Sequence, residues 1–274
     1  MAGLIRAWLA GDSQRLRWLS FEDYARKVFA GNHPAWHADP MRYAGGLSDA
    51  NKVLGSQVVS FDFGAVFASH AQLATGANGV ERIHRLLNDA HVKRFCNDAI
   101  ATMVHQLNDR ADVVLQLPSP ATALVMLGED TTDIDFDMLD DAANALAELS
   151  RGFSALPVTG LVLAFTGNGV DTAGELEACE VLQGLAGHYD WLFATRFDSE
   201  ALAGELAELS PDIRLIDTLR ASLLAAQDTP TGGGLDSNFW AGGDLPPVAG
   251  ACLYGTVPAD LDPLLVVERI ASLP

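Results

Sequence analysis

Val58-Val59-Ser60-Phe61-Asp62-Phe63-Gly64 (VVSFDFG, 58–64) is an apolar run that closes on a carboxylate and a glycine. A short stretch rich in Val and Phe, bounded by a turn residue, predicts a buried strand. The acid stands where the chain leaves the core. The same pattern recurs along the sequence: QVVSFDF (57–63), DVVLQLP (112–118), TGLVLAFTG (159–167), WLFATRF (191–197), IRLID (213–217) and ACLYG (251–255) are near-continuous apolar segments.

Helical patterns, with apolar residues three and four apart, fill the spaces between them. They include VERIHRLLNDA (80–90), RFCNDAIATMVHQL (94–107), DMLDDAANALAELSRGF (137–153) and LDPLLVVERIASL (261–273). Apolar strands that alternate with helices predict a parallel sheet covered on both faces. At 274 residues the expected fold is α/β, a (β/α)8 TIM-type barrel, allowing for distortion.

Six strands are legible, and the other two are expected in TGGGLDSNFWAGGDLPP (231–247) or near residues 30–50. A doubly wound open sheet is the alternative, but no GxGxxG follows the first strand. Residues 3–29 carry Leu4, Ile5, Trp8, Leu16, Trp18, Phe21, Tyr24 and Val28 and predict one or two amphipathic helices. The expected organisation is one barrel domain over 1–274 with an N-terminal helical extension to about residue 45, and no internal repeat is present.

Thirty-six acids against seventeen Lys and Arg give a formal net charge of −19, a field that repels nucleic acid and anionic lipid. Neither is an expected partner. Cys96, Cys179 and Cys252 are odd in number and lack a CxxC pair, which disfavours disulfides and structural zinc. The N-terminal segment lacks the uninterrupted apolar stretch of a signal peptide, and no segment reaches spanning length. A soluble, cytoplasmic protein is expected.

In a parallel barrel the active site lies at the C-terminal ends of the strands. Reading each strand to its end selects Asp62, Gln116, Ser119, Thr166, Asn168, Thr195, Arg196, Asp198, Asp217, Tyr254 and Thr256. Such a ring can bind a polar metabolite, with Arg196 pairing a carboxylate and Asp62 moving a proton. The competing reading is helix capping, which suits Asp198 and Asp217 in particular.

HPAWHADP (33–40) sets His33 and His37 four apart, but Pro34 and Pro40 hold it to a loop or a single turn, and no third metal ligand is evident. As a loop over the mouth it would contribute Trp36 or His37 to a pocket; otherwise it is an anchor. GEDTTDIDFDMLDD (128–141) has the acid density of a calcium loop without its glycine, so its acids are assigned to the start of the next helix. Phe239 and Trp240 in the Gly-rich segment suggest a lid, a packed loop or a subunit contact, with Trp240 a candidate for substrate contact. Cys179 lies among acids, and no GxSxG turn is present, which disfavours covalent hydrolase chemistry.

Three stretches together resemble the uroporphyrinogen decarboxylase-like barrels, a superfamily that includes cobalamin-linked methyltransferases and vitamin-independent methionine synthase. VVSFDFGAVFA is similar to the strand that ends in the family's aspartate. LPSPATALVMLG is similar to its P-x-T-x-x-x-x-L-G turn, here Pro120, Thr122 and Gly128. YGTVPADLDPLLVVERI is similar to its terminal segment through Gly255, Pro258, Pro263 and Val267.

The resemblance implies a barrel, a homodimer and a role for Asp62 in contacting substrate N–H donors. Tyr254-Gly255-Thr256 replaces the family's Gly-His-Gly, and no His-x-Cys pair supports its zinc site. The resulting expectation is metal-free, cofactor-free acid/base chemistry on a small carboxylated metabolite, as in a decarboxylase or other lyase. Asp62, Arg196 and Tyr254 would be catalytic. His37, Trp36, Gln116, Ser119, Thr166, Asn168, Asp198 and Trp240 would bind substrate. Methyl transfer with a corrinoid partner, and a non-catalytic binding protein, are the alternatives.

Overall fold

A computed structural model of the chain describes residues 3–13, 15–107, 110–167, 169–170, 172–246, 248 and 250–273. Among these residues eight parallel strands close into a barrel in chain order: β1 (Leu16–Ser20), β2 (Val58–Asp62), β3 (Asp112–Pro118), β4 (Gly160–Phe165), β5 (Leu192–Phe197), β6 (Ile213–Ile216), β7 (Thr231–Gly234) and β8 (Cys252–Thr256). The ring closes where β1 pairs with β8, with Trp18 opposite Tyr254 and Ser20 opposite Thr256. This is a (β/α)8 TIM barrel.

The apolar strands have no polar face because both of their faces are covered. Val58, Val114, Val162, Ala194, Leu215 and Tyr254 belong to a cluster inside the barrel. Their neighbours Val59, Leu115, Leu161, Leu163, Phe193 and Phe197 belong to a second cluster between strands and helices. Successive side chains on a strand point to opposite sides, so alternation survives in direction while it disappears in hydrophobicity.

One strand differs from the sequence-based expectation. β1 lies inside the segment predicted as helical, and only Leu4–Leu9 and Glu22–Val28 on either side of it are helices. The eighth strand is therefore not near residues 30–50, where the chain forms turns and then the helix Pro40–Leu54. β7 does arise from the Gly-rich segment. A Cβ on Gly232 would lie 2.8 Å from Leu215 and 2.9 Å from both Cys252 Sγ and Tyr254 Cβ, so a strand with side chains could not lie so deep.

The helix Leu4–Leu9 closes the N-terminal end of the barrel. Ile5 joins the inner cluster, and its backbone N–H donates to Asp112 Oδ2 at 2.8 Å, across 107 residues of sequence. Burial raises the Asp112 carboxyl above its ordinary value. The three cysteines are free and buried, and burial pushes the Cys96 thiol up to about 12. No helix among the described residues is long and apolar enough to cross a membrane.

Candidate active site at the barrel mouth

Because the side chains alternate, the inward positions can be followed up each strand. Trp18 leads to Ser20, Val58 to Ser60 and Asp62, Val114 to Gln116, Ala194 to Arg196, and Tyr254 to Thr256. The interior is apolar for two layers and polar at its C-terminal rim. Trp18 meets the Tyr254 ring edge-on at 6.5 Å between centroids and forms the floor.

Asp62 ends β2 and also opens the helix Phe63–His70. Its Oδ1 accepts the backbone N–H groups of Gly64 (2.8 Å) and Ala65 (3.3 Å), and its Oδ2 accepts Gln116 Nε2 at 2.7 Å. Part of the reason an acid stands here is therefore helix capping. Capping alone does not account for its electrostatics: burial first, and then the negative charge of Glu22, raise its pKa to about 6, against the opposing pull of Arg196 and the backbone donors.

Arg196 ends β5 on the inner face. Its Nη2 donates to Asp217 Oδ2 at 2.8 Å and to Thr256 Oγ1 at 3.5 Å. Among the described residues its Nε and Nη1 make no hydrogen bond. Tyr254 is 1% exposed, and burial raises its pKa well above the ordinary value, with Arg196 opposing and Asp217 reinforcing. Its hydroxyl and Asp217 Oδ1 are both buried without a well-formed hydrogen bond, yet each lies within the other's field. Asp62, Arg196 and Tyr254 are thus within electrostatic reach of one another in the C-terminal half of the barrel.

Glu22, which the sequence reading did not select, belongs to the same site. It follows β1 and lines a cleft with Ser20, Ser60, Asp62 and Gln116. Its Oε1 accepts His37 Nε2 at 2.6 Å and Trp36 Nε1 at 3.3 Å, and its Oε2 accepts Tyr43 Oη at 2.8 Å. The strand-end rule would have found it had β1 been recognised as a strand.

The remaining predicted residues separate. Gln116 is in the cleft and bound to Asp62. Ser119 is fully buried and caps the helix Pro120–Met126, its hydroxyl donating to Thr122 Oγ1 at 2.8 Å, so its bonding capacity is spent on the fold. Thr166 is exposed and exchanges a hydrogen bond with Thr122 at 3.2 Å. Asn168 lies outside the described residues. Asp198 is exposed and accepts Gly167 N–H at 3.1 Å; the following helix is capped by Ser199.

Asp217 caps no helix and instead pairs with Arg196. Trp36 and His37 reach the site through Glu22; Trp36 is otherwise packed on Tyr43 with 5.0 Å between ring centroids. Trp240 is buried in the outer cluster, on a short helix packed against Pro263–Ala271, rather than lining the cleft. Among the described residues no group of three or more His, Cys, Asp or Glu side chains could hold a metal ion.

No family model matches the chain, and no curated protein matches it. Among solved structures, a catalytic module of the pneumococcal exo-β-D-N-acetylglucosaminidase StrH, of the GH20 type, is similar over 97% of this chain and 82% of that one, at 10% identity and a TM-score of 0.50. A chain described as a "putative phosphonomutase" from Burkholderia cenocepacia J2315 is similar over 69% of this chain and 73% of that one, at 15% identity and a TM-score of 0.40. At such identities the likeness concerns the barrel alone, because one scaffold carries many chemistries. The resemblance to the uroporphyrinogen decarboxylase-like barrels likewise supplies a fold and not a membership.

Proposed function

We propose that the barrel mouth is the active site of an enzyme that acts on a small carboxylated metabolite by acid/base chemistry, a lyase of the decarboxylating kind. The observation that supports this reading is the mutual field of Asp62, Arg196 and Tyr254 at the C-terminal rim. A carboxyl group with a pKa of about 6 is poised to exchange a proton near neutrality. Arg196 keeps Nε and Nη1 for a substrate carboxylate, which would share the guanidinium with Asp217.

In the proposed step the bond between the substrate carbon and its carboxylate breaks and carbon dioxide leaves. The electron pair stays on the carbon, and the protonated Asp62 donates its proton there and becomes a carboxylate. A proton from water restores it. Tyr254, uncharged because of its burial, offers an O–H toward the oxygen that gains charge.

The test is a thermal-shift screen of small mono- and dicarboxylic acids, followed by turnover assays on the compounds that bind. Asp62→Asn should still bind them and lose turnover by a factor on the order of 10²–10⁴, while Arg196→Met should lose binding. Full turnover in the Asp62→Asn protein would overturn the assignment.

A further inference from the structure

We propose that the N-terminal pole of the barrel, opposite the mouth, carries a binding site for a phosphate-bearing small molecule, held by Arg15, Arg17 and the side-chain amide of Gln57. None of these residues belongs to the mouth, so the site stands or falls apart from the chemistry assigned there.

Arg15 stands immediately before β1 and Arg17 within it. Leu16 and Trp18 belong to the inner cluster, so the two arginines point outward on the same side of the strand. Both line a recess of about 260 Å³ together with Leu16, Gly55, Gln57 and Leu253, and no acid lines it. That runs against the composition, which supplies 36 Asp and Glu for 17 Lys and Arg. Among the described residues Arg17 forms no ion pair and a single side-chain hydrogen bond, from Nη1 to the Leu54 carbonyl at 3.5 Å, and the Arg15 side chain forms neither. Arg17 is half-buried, and burial lowers its pKa below the ordinary value with no acid opposing the shift. Two cations side by side repel each other, and an anion between them removes that cost.

Helices end at this pole, and helix ends attract cations on their own. That accounts for Arg110, which donates to the carbonyls of Gln106 and Leu107 at the end of the helix Ala90–Leu107. It accounts for Arg17 only in part, since the bond to Leu54, at the end of Pro40–Leu54, engages one N–H of the fork at the limit of hydrogen-bond length. Lys52, in the adjoining recess, is already paired with Asp49 at 2.7 Å. Arg15, most of the Arg17 fork and the Gln57 amide are left for a ligand. Gln57 Oε1 accepts the Arg17 backbone N–H at 2.8 Å, which holds that amide in the recess.

Two guanidinium groups match the charge and the oxygens of a phosphate monoester better than those of a single carboxylate. On its other side Arg15 borders a recess of about 530 Å³ with Trp8, Leu9 and Pro230, which has room for the organic part of such a ligand.

Thermal unfolding of the full chain in inorganic pyrophosphate, against NaCl of the same ionic strength, tests the site. Tm should rise saturably in pyrophosphate and beyond any rise in NaCl. Replacing both arginines, Arg15→Gln with Arg17→Gln, should raise the half-saturating concentration by on the order of 10–10²-fold. Arg15→Gln alone gives the same reading by a smaller factor if the double variant does not fold, because that side chain holds nothing else. Arg196→Met, which removes the cation of the mouth, should leave the response intact. A response no larger than in NaCl, an equal response in the Arg15 and Arg17 variants, or its loss in Arg196→Met overturns the proposal. Co-sedimentation with phosphatidylserine vesicles that depends on Arg15 and Arg17 would assign them to a lipid surface and overturn it as well.

Discussion

Arg196 Nη2 stands 2.8 Å from Asp217 Oδ2, joining the end of β5 to the segment just past β6 inside the barrel mouth. Both side chains are mostly buried, at 23% and 22% exposure, so neither charge is well served by water. Removing one partner leaves the other desolvated and unpaired. Asp217→Ala is expected to cost about 1–3 kcal/mol of stability in a urea titration, whereas Asp217→Asn, which keeps an acceptor for the guanidinium, should cost less.

The pH dependence of stability carries a second prediction. The Asp62 carboxyl is raised from 3.8 to about 6 on folding, so the folded chain binds this proton more tightly than the unfolded one. The contribution to stability is therefore fully present below about pH 4 and is lost as pH rises through about 6. A difference of about two units corresponds to on the order of 3 kcal/mol. Asp62→Asn should be more stable than the native chain at pH 8 and no more stable at pH 3.5, measured by urea unfolding at both values.

Two glycines should respond in opposite directions to the same change. A Cβ on Gly255 would lie 2.2 Å from the Leu235 carbonyl oxygen, which is backbone and cannot yield. Gly255→Ala is expected to cost about 1–3 kcal/mol or more. Gly184 lies inside the helix Glu180–His188 with nothing within 4 Å of the added carbon. Gly184→Ala should stabilise by about 0.5–1 kcal/mol, and paired denaturation curves check both.

At the opposite end of the barrel, Asp112 accepts the N–H of Ile5. Asp112→Ala removes the acceptor at the start of the helix Leu4–Leu9 and should cost about 0.5–2 kcal/mol. The first sign should be local: faster hydrogen exchange at Ile5, with the amides of β3 unchanged.

The parts of the fold that were legible in the sequence are those in which strand and helix differ in composition. β2 to β6 are dense in Val, Leu, Ile and Phe because both of their faces are covered, and that density is visible without knowledge of direction; β8, Cys-Leu-Tyr-Gly-Thr, is read from its short apolar run before a glycine. β1 escaped because Leu16, Trp18 and Leu19 lie between two helices whose apolar residues continue the same three-and-four spacing. A five-residue strand is too short to break such a pattern.

β7 has almost no side chains. Its strand is dictated by what Leu215, Cys252 and Tyr254 leave room for, a tertiary fact that no local composition encodes. The site divided along the same line: Asp62, Gln116, Arg196 and Tyr254 end strands that could be read, while Glu22 follows the one that could not. Asp217 was also selected as a strand end, but its partner depends on which strand lies beside β6. Capping was its obvious local alternative, whereas its ion pair is not local.

Trp18 and Tyr254, with Ile5 of the N-terminal helix in the same cluster, fill the lower part of the barrel with apolar side chains, so the polar groups of its interior are gathered at its C-terminal end alone among the described residues.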